Sequence, residues 1–158
     1  MTDRTYPACI RELYESEIFG EAVFAALVGS ARNEREAYHI GSLLQLETET
    51  KARLRPFLMK HGISLDETME LPPMSDFVTG YLSLSWADFM KANVPVIQNF
   101  LTSFEEIVRI GPKEDFDVLQ SMVAHESAIL KWASLESEGE NDHSLDDVVA
   151  QLEWPLKP

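Results

Sequence analysis

The sequence predicts an all-α fold: an up-down four-helix bundle with a long crossover between its second and third helices and a short C-terminal extension. Two observations carry this expectation. Four long segments repeat apolar residues at helical spacing, and no segment alternates as a half-buried strand would. Two of the connections between these segments are short and one is long, which gives a helical pair, a crossover and a second pair. With 158 residues, 45% of them hydrophobic and 25% charged, the chain suits one domain, with its core over about 7–139 and a tail over 140–158.

The first helix is expected from about Pro7 to Ser30, with Ile10, Leu13, Glu17, Gly20, Phe24 and Leu27 on one stripe. The second begins near Asn33 and ends near Lys60, where His61 and Gly62 supply a C-terminal stop. Its stripe is Ile40, Leu43, Leu44, Glu47, Thr50, Leu54 and Phe57. The crossover follows. Pro72 and Pro73 break any helix there, while Phe77, Tyr81 and Leu82 keep part of it packed as a short helix. Ser85 and Asp88 form a variant capping box that opens the third long helix, which carries Met90, Val94, Ile97, Leu101, Phe104 and Val108 and stops at Gly111–Pro112. Pro95 is expected to bend its first turns. The fourth runs from about Lys113 to Glu138, with Leu119, Met122, Val123, Glu126, Ile129, Leu130 and Ala133 inward. In the tail, "SLDDVVAQL" adds a short capped helix before Pro155.

Charge and cysteine content exclude several classes. A net charge of −14 argues against nucleic acid and against an anionic membrane surface, both of which attract clustered Lys and Arg. The single cysteine, Cys9, excludes an intrachain disulfide and any multi-cysteine metal site. No apolar run approaches the roughly 20 residues that span a bilayer, and the first residues lack the apolar centre of a signal peptide. The expected location is the cytoplasm.

Three glutamates break the pattern. Glu17, Glu47 and Glu126 each interrupt an apolar stripe near the middle of their own helix, so they can meet at one level. Buried carboxylates repel one another and lose hydration, so such a cluster needs a cation, shared protons or basic neighbours. Carboxylates with imidazole suit iron or manganese better than copper.

These residues resemble the ferritin-like superfamily of rubrerythrin-type di-iron carboxylate proteins. The likeness covers roughly Glu12 to Gly139. In "EIFGEAVF", Glu17, Gly20 and Phe24 match the family's glutamate, small residue and aromatic; "ETETKARL" and "HESAILKWASLESEG" resemble its two Glu-x-x-His stretches, with Glu47 and Glu126 on ligand positions. The family pattern would place histidine at Thr50 and Ile129, and another glutamate on the third helix, where Asn93 and Gln98 are the polar groups near the expected position. The resemblance therefore implies a reduced ligand set: Glu17, Glu47 and Glu126, with His125 and Glu21 as additional candidates. His125 follows a turn of roughly 100° from Glu126, which weighs against its sharing the site.

The expected function is binding of a small molecule in the bundle core, or of a partner, without normal di-iron chemistry and with Glu47 paired to Lys51. The alternative is an iron or manganese oxidoreductase with an altered site. A metal-free enzyme using a glutamate as general acid or base is the third reading. His39 reads as a surface or interface histidine, Trp86 and Trp132 as packing anchors, Glu105, Glu106, Glu136 and Glu138 as solvated faces, and Cys9 as unactivated. The first and third long helices are apolar on more than one face, which predicts a homodimer or a ligand pocket between helices, with Gly20 and Gly41 marking close approach.

Overall fold

A computed structural model describes residues 4–158. It is all-helical, with six α-helices and, among the described residues, no strand. The four long ones are α1 (Tyr6–Val28), α2 (Glu34–Lys60), α4 (Trp86–Ile110) and α5 (Phe116–Ser137); α3 (Met74–Ser83) and α6 (Asp146–Val149) are short. A 3-10 turn, Lys113–Asp115, leads into α5, so the fourth long helix begins a turn later than its sequence pattern suggests. Among the described residues, no helix is long and apolar enough to cross a membrane.

Local chemistry sets the ends. Thr5 caps α1 through the Ala8 N–H, and Asn33 caps α2 through the Glu36 N–H at 2.8 Å. At Ser85 the hydroxyl accepts from the Asp88 N–H and donates to the Asp88 carboxylate, closing the expected box at the start of α4. The end of α2 is a Schellman turn. Gly62 takes φ +66°, its N–H reaches the Met59 carbonyl, and the Ile63 N–H reaches that of Leu58. α4 continues through Pro95, which lies on an exposed face.

Side-chain pairs align the long helices. Arg35, His39, Thr50 and Arg53 of α2 meet Glu136, Trp132, His125 and Ser121 of α5 in descending order, so the two helices run antiparallel. Glu12 meets Ser103, and Phe19 packs on Phe100, which sets α1 against α4. The crossover is strapped down rather than loose: Arg11 donates to the Ser64 and Asp66 carbonyls, and Glu67 accepts from Tyr14 and Lys51. In the tail, Leu156 lies where a Cβ on Gly41 would meet it at 2.9 Å.

Two sequence expectations are corrected. Glu136 is fully buried, not solvated. It accepts both Arg35 nitrogens (2.9 and 2.7 Å), the Trp86 indole N–H (2.6 Å) and the Ser144 hydroxyl (2.6 Å), tying α2, α4, α5 and the tail together. Burial pushes its pKa up, but the Arg35, Ser144 and Trp86 hydrogen bonds outweigh that and bring it to about 2. His39 is likewise buried, not at the surface, and its Nδ1 accepts the Trp132 indole N–H at 3.0 Å. Burial, with Arg35 nearby, lowers its pKa to about 4, so it is neutral at pH 7. Glu105, Glu106 and Glu138 are exposed as expected.

Candidate metal centre and its cavity

The apolar core is in two parts. One gathers Leu27, Leu43, Tyr81, Met90 and Trp132; the other gathers Ile10, Leu13, Leu54, Phe104 and Met122. Between these levels of the helices sit Glu17 on α1, Glu47 and Thr50 on α2, and His125 and Glu126 on α5, all of them buried.

His125 Nε2 lies 3.3 Å from Glu17 Oε2 and 3.5 Å from Glu47 Oε2. Ligand-type atoms of these three residues all fall within 4.8 Å of one another, and among the described residues no other group of three acidic, histidine or cysteine side chains converges in this way. The ring's other nitrogen, Nδ1, is 3.2 Å from Thr50 Oγ1. Glu17 Oε2 and His125 Nε2 are buried and hydrogen-bonded to nothing among the described residues, although they face one another. Native interiors rarely leave such atoms unpaired.

Each position has a local cause. Gly20 stands one turn after Glu17, and a Cβ there would lie 2.5–2.8 Å from the Glu47 carboxylate, so the missing side chain is the space that carboxylate fills. Burial raises the pKa of Glu17 well above the usual carboxylate value, and the neighbouring Glu47 and then Glu126 add to the shift against a small opposing effect of Arg53. Glu126 is raised by burial and then by Glu47.

The candidates named from sequence divide into three groups. Glu17, Glu47 and His125 come together. His125 and Glu126 both point inward because α5 is buried on a broad arc that includes the successive positions 125, 126, 128 and 129, so a turn of roughly 100° leaves both residues inside. Glu126 is buried beside the cluster but outside that trio. Glu21 is held away from it, accepting from Thr48 at 2.7 Å and from Lys51. Lys51 binds Glu21 and Glu67, not the expected Glu47, because the crossover brings Glu67 within 3.0 Å. Thr50, marked in the sequence as a missing histidine, is the residue that holds His125; its place on a buried stripe was the available signal.

A cavity of about 100 Å³ opens beside the cluster. Glu17, Glu47 and Glu126 line it, with Val23, Ile97 and Ile129 among its apolar walls. Its partly exposed lining residues include Phe19, Phe77, Val96 and Phe100, which mark the outward end between α1, α3 and α4. Phe19 packs against both Phe77 and Phe100, with ring centroids 5.6 and 6.2 Å apart. Asn93, one of the two polar groups expected on this helix, also lines the cavity, but its side-chain N–H is taken by the Phe89 carbonyl at 2.7 Å. Gln98 is exposed.

No protein-family model, curated protein or solved structure matches the chain.

Proposed function

We propose that the chain is a ferritin-like helical bundle whose reduced carboxylate site holds one divalent ion, iron or manganese, on Glu17, Glu47 and His125, beside a cavity that takes a small molecule. The observation that carries this reading is the pair of unpartnered buried atoms, Glu17 Oε2 and His125 Nε2, facing each other 3.3 Å apart with the Glu47 carboxylate beside them. A cation satisfies both at once. Two carboxylates and an imidazole form a donor set that suits iron or manganese. A proton on Nδ1, donated to Thr50 Oγ1, leaves Nε2 free to ligate and fixes the ring.

The same residues argue against a two-metal centre. Thr50 and Ile129 stand where the family has histidines, and Asn93 uses its amide on backbone. When bound, a single ion of this kind supplies Lewis acidity and one-electron redox chemistry. The chain's own residues bind it, orient the imidazole and surround it with apolar walls that limit water.

A second reading has one observation in its favour. Burial and the neighbouring Glu47 carboxylate raise Glu17 and Glu126, so these two can also persist without metal as carboxylic acids. Elemental mass spectrometry separates the two. Protein purified without chelators or a metal-binding tag should carry about one equivalent of iron or manganese, and a Glu17→Gln, His125→Ala double variant should lose nearly all of it. Absence of metal from the unmodified protein, even after anaerobic reconstitution with ferrous iron, would sink the metal reading and leave the protonated layer.

A further inference from the structure

We propose that the cavity binds small primary amines with an apolar body, and that Glu126 receives the ammonium head. This deepens the reading above and rests on it only for the charge balance of the neighbouring trio.

Glu126 is the group that the metal reading leaves unused. It is 6% exposed, it lines the cavity, and its carboxyl accepts no hydrogen bond from the described residues. Glu17 and Glu47, by contrast, are matched in charge by a divalent ion. Glu126 is then the one acid of the layer without a partner among the described residues. No lysine or arginine lines the cavity. Lys51, the buried cation of α2, is engaged by Glu21 and Glu67, and Arg53 turns to Ser121. A buried carboxyl in these surroundings favours a cationic hydrogen-bond donor and disfavours an anion.

The rest of the ligand follows from the walls. Val23, Ile97 and Ile129 offer no hydrogen bond, so the body must be apolar, and the phenylalanines at the outward end suit an aromatic or aliphatic group. A cavity of about 100 Å³ is smaller than the roughly 150 Å³ apolar cavity that accepts benzene, so it encloses less than a whole ring, and the outer part of an aromatic body must lie among the phenylalanines at the outward end.

The test uses the protein as isolated, with benzylamine, benzyl alcohol and benzoate as probes at pH 7, followed by calorimetry and by the methyl resonances of Ile97 and Ile129. Benzylamine should bind at least tenfold more tightly than benzoate and several-fold more tightly than the alcohol, with both methyl groups shifting. Glu126→Gln should erase the advantage of the amine over the alcohol while leaving metal content and melting temperature unchanged. Val23→Phe, which fills the cavity, should abolish binding of all three. Benzoate binding as tightly as benzylamine, an amine advantage that survives Glu126→Gln, binding that survives Val23→Phe, or no binding of any probe at about 10 mM would each overturn the proposal. Metal content measured on the same samples keeps the two readings apart: amine preference in metal-free protein would sink the metal alone, and loaded protein without the preference would sink the amine alone.

Discussion

At the scale of single residues, Gly20 has the least room for change. Alanine in a helix interior is ordinarily favoured over glycine by about 0.5–1 kcal/mol. Here the added methyl would fall 2.5 Å from the carboxylate carbon of Glu47, so that carboxylate must swing away from His125. Gly20→Ala should therefore lower bound metal several-fold without the usual gain in melting temperature. Elemental analysis beside a thermal melt checks both, and a variant that keeps its metal and melts higher would show that the contact is soft. The carboxylate's neighbour His125 depends on a residue of a different kind. Thr50 contributes no charge and no metal ligand, yet its hydroxyl is the hydrogen-bond partner of His125 Nδ1 and orients the ring.

Among the elements, the contact between α2 and α5 carries two of the groups that respond to pH. His39 and Glu136 both have folded-state pKa values below their ordinary ones, about 4 and about 2. A group lowered on folding contributes stability that is fully present above its unfolded value and lost as pH falls through the folded one. His39 should thus cost stability between about pH 6.5 and 4, by about 3 kcal/mol at most, and Glu136 below about pH 4.5. His39→Gln keeps an acceptor for the Trp132 N–H but cannot titrate. Its melting temperature should fall clearly less between pH 6.5 and 4.5 than that of the unmodified protein; parallel curves would exclude His39 as the cause. These two residues also mark where the sequence stopped being informative. Helix positions, the start near Asn33, the capping box at Ser85, the stop at Gly62 and the glutamates on apolar stripes were legible because each depends on neighbours within a turn or two. The burial of Glu136 comes from Arg35 and Ser144, which reach it from another helix and from the tail. The inward direction of His125 depends on α5 being covered on two sides, which periodicity along one helix does not reveal. The cavity itself arises where α1, α3 and α4 fail to close, and no local pattern encodes that.

The whole molecule is held across its longest connection by side chains rather than by regular structure. Residues 63–73 form no helix, yet Arg11 binds two of their carbonyls and Glu67 takes Tyr14 and Lys51. Arg11→Ala with Glu67→Ala should speed limited proteolysis between Leu65 and Leu71 several-fold while the global melt moves little. An unchanged cleavage rate would mean that Phe77 and Tyr81 alone hold the crossover. Much of the apolar excess on α1 and α4 lies along the cavity, at Val23, Phe24, Ile97 and Phe100. The layer of Glu17, Glu47, Thr50, His125 and Glu126 has a further consequence for how the chain finds its alignment. Leucine-rich helices meet almost equally well after sliding by one turn, about 5.4 Å, since one aliphatic level resembles the next. A slip of that size here would push a carboxylate into leucines, where an unpaired charge costs several kcal/mol. The five polar residues thus work as a registration mark, selecting one alignment of the helices from several that aliphatic packing alone would leave nearly equal.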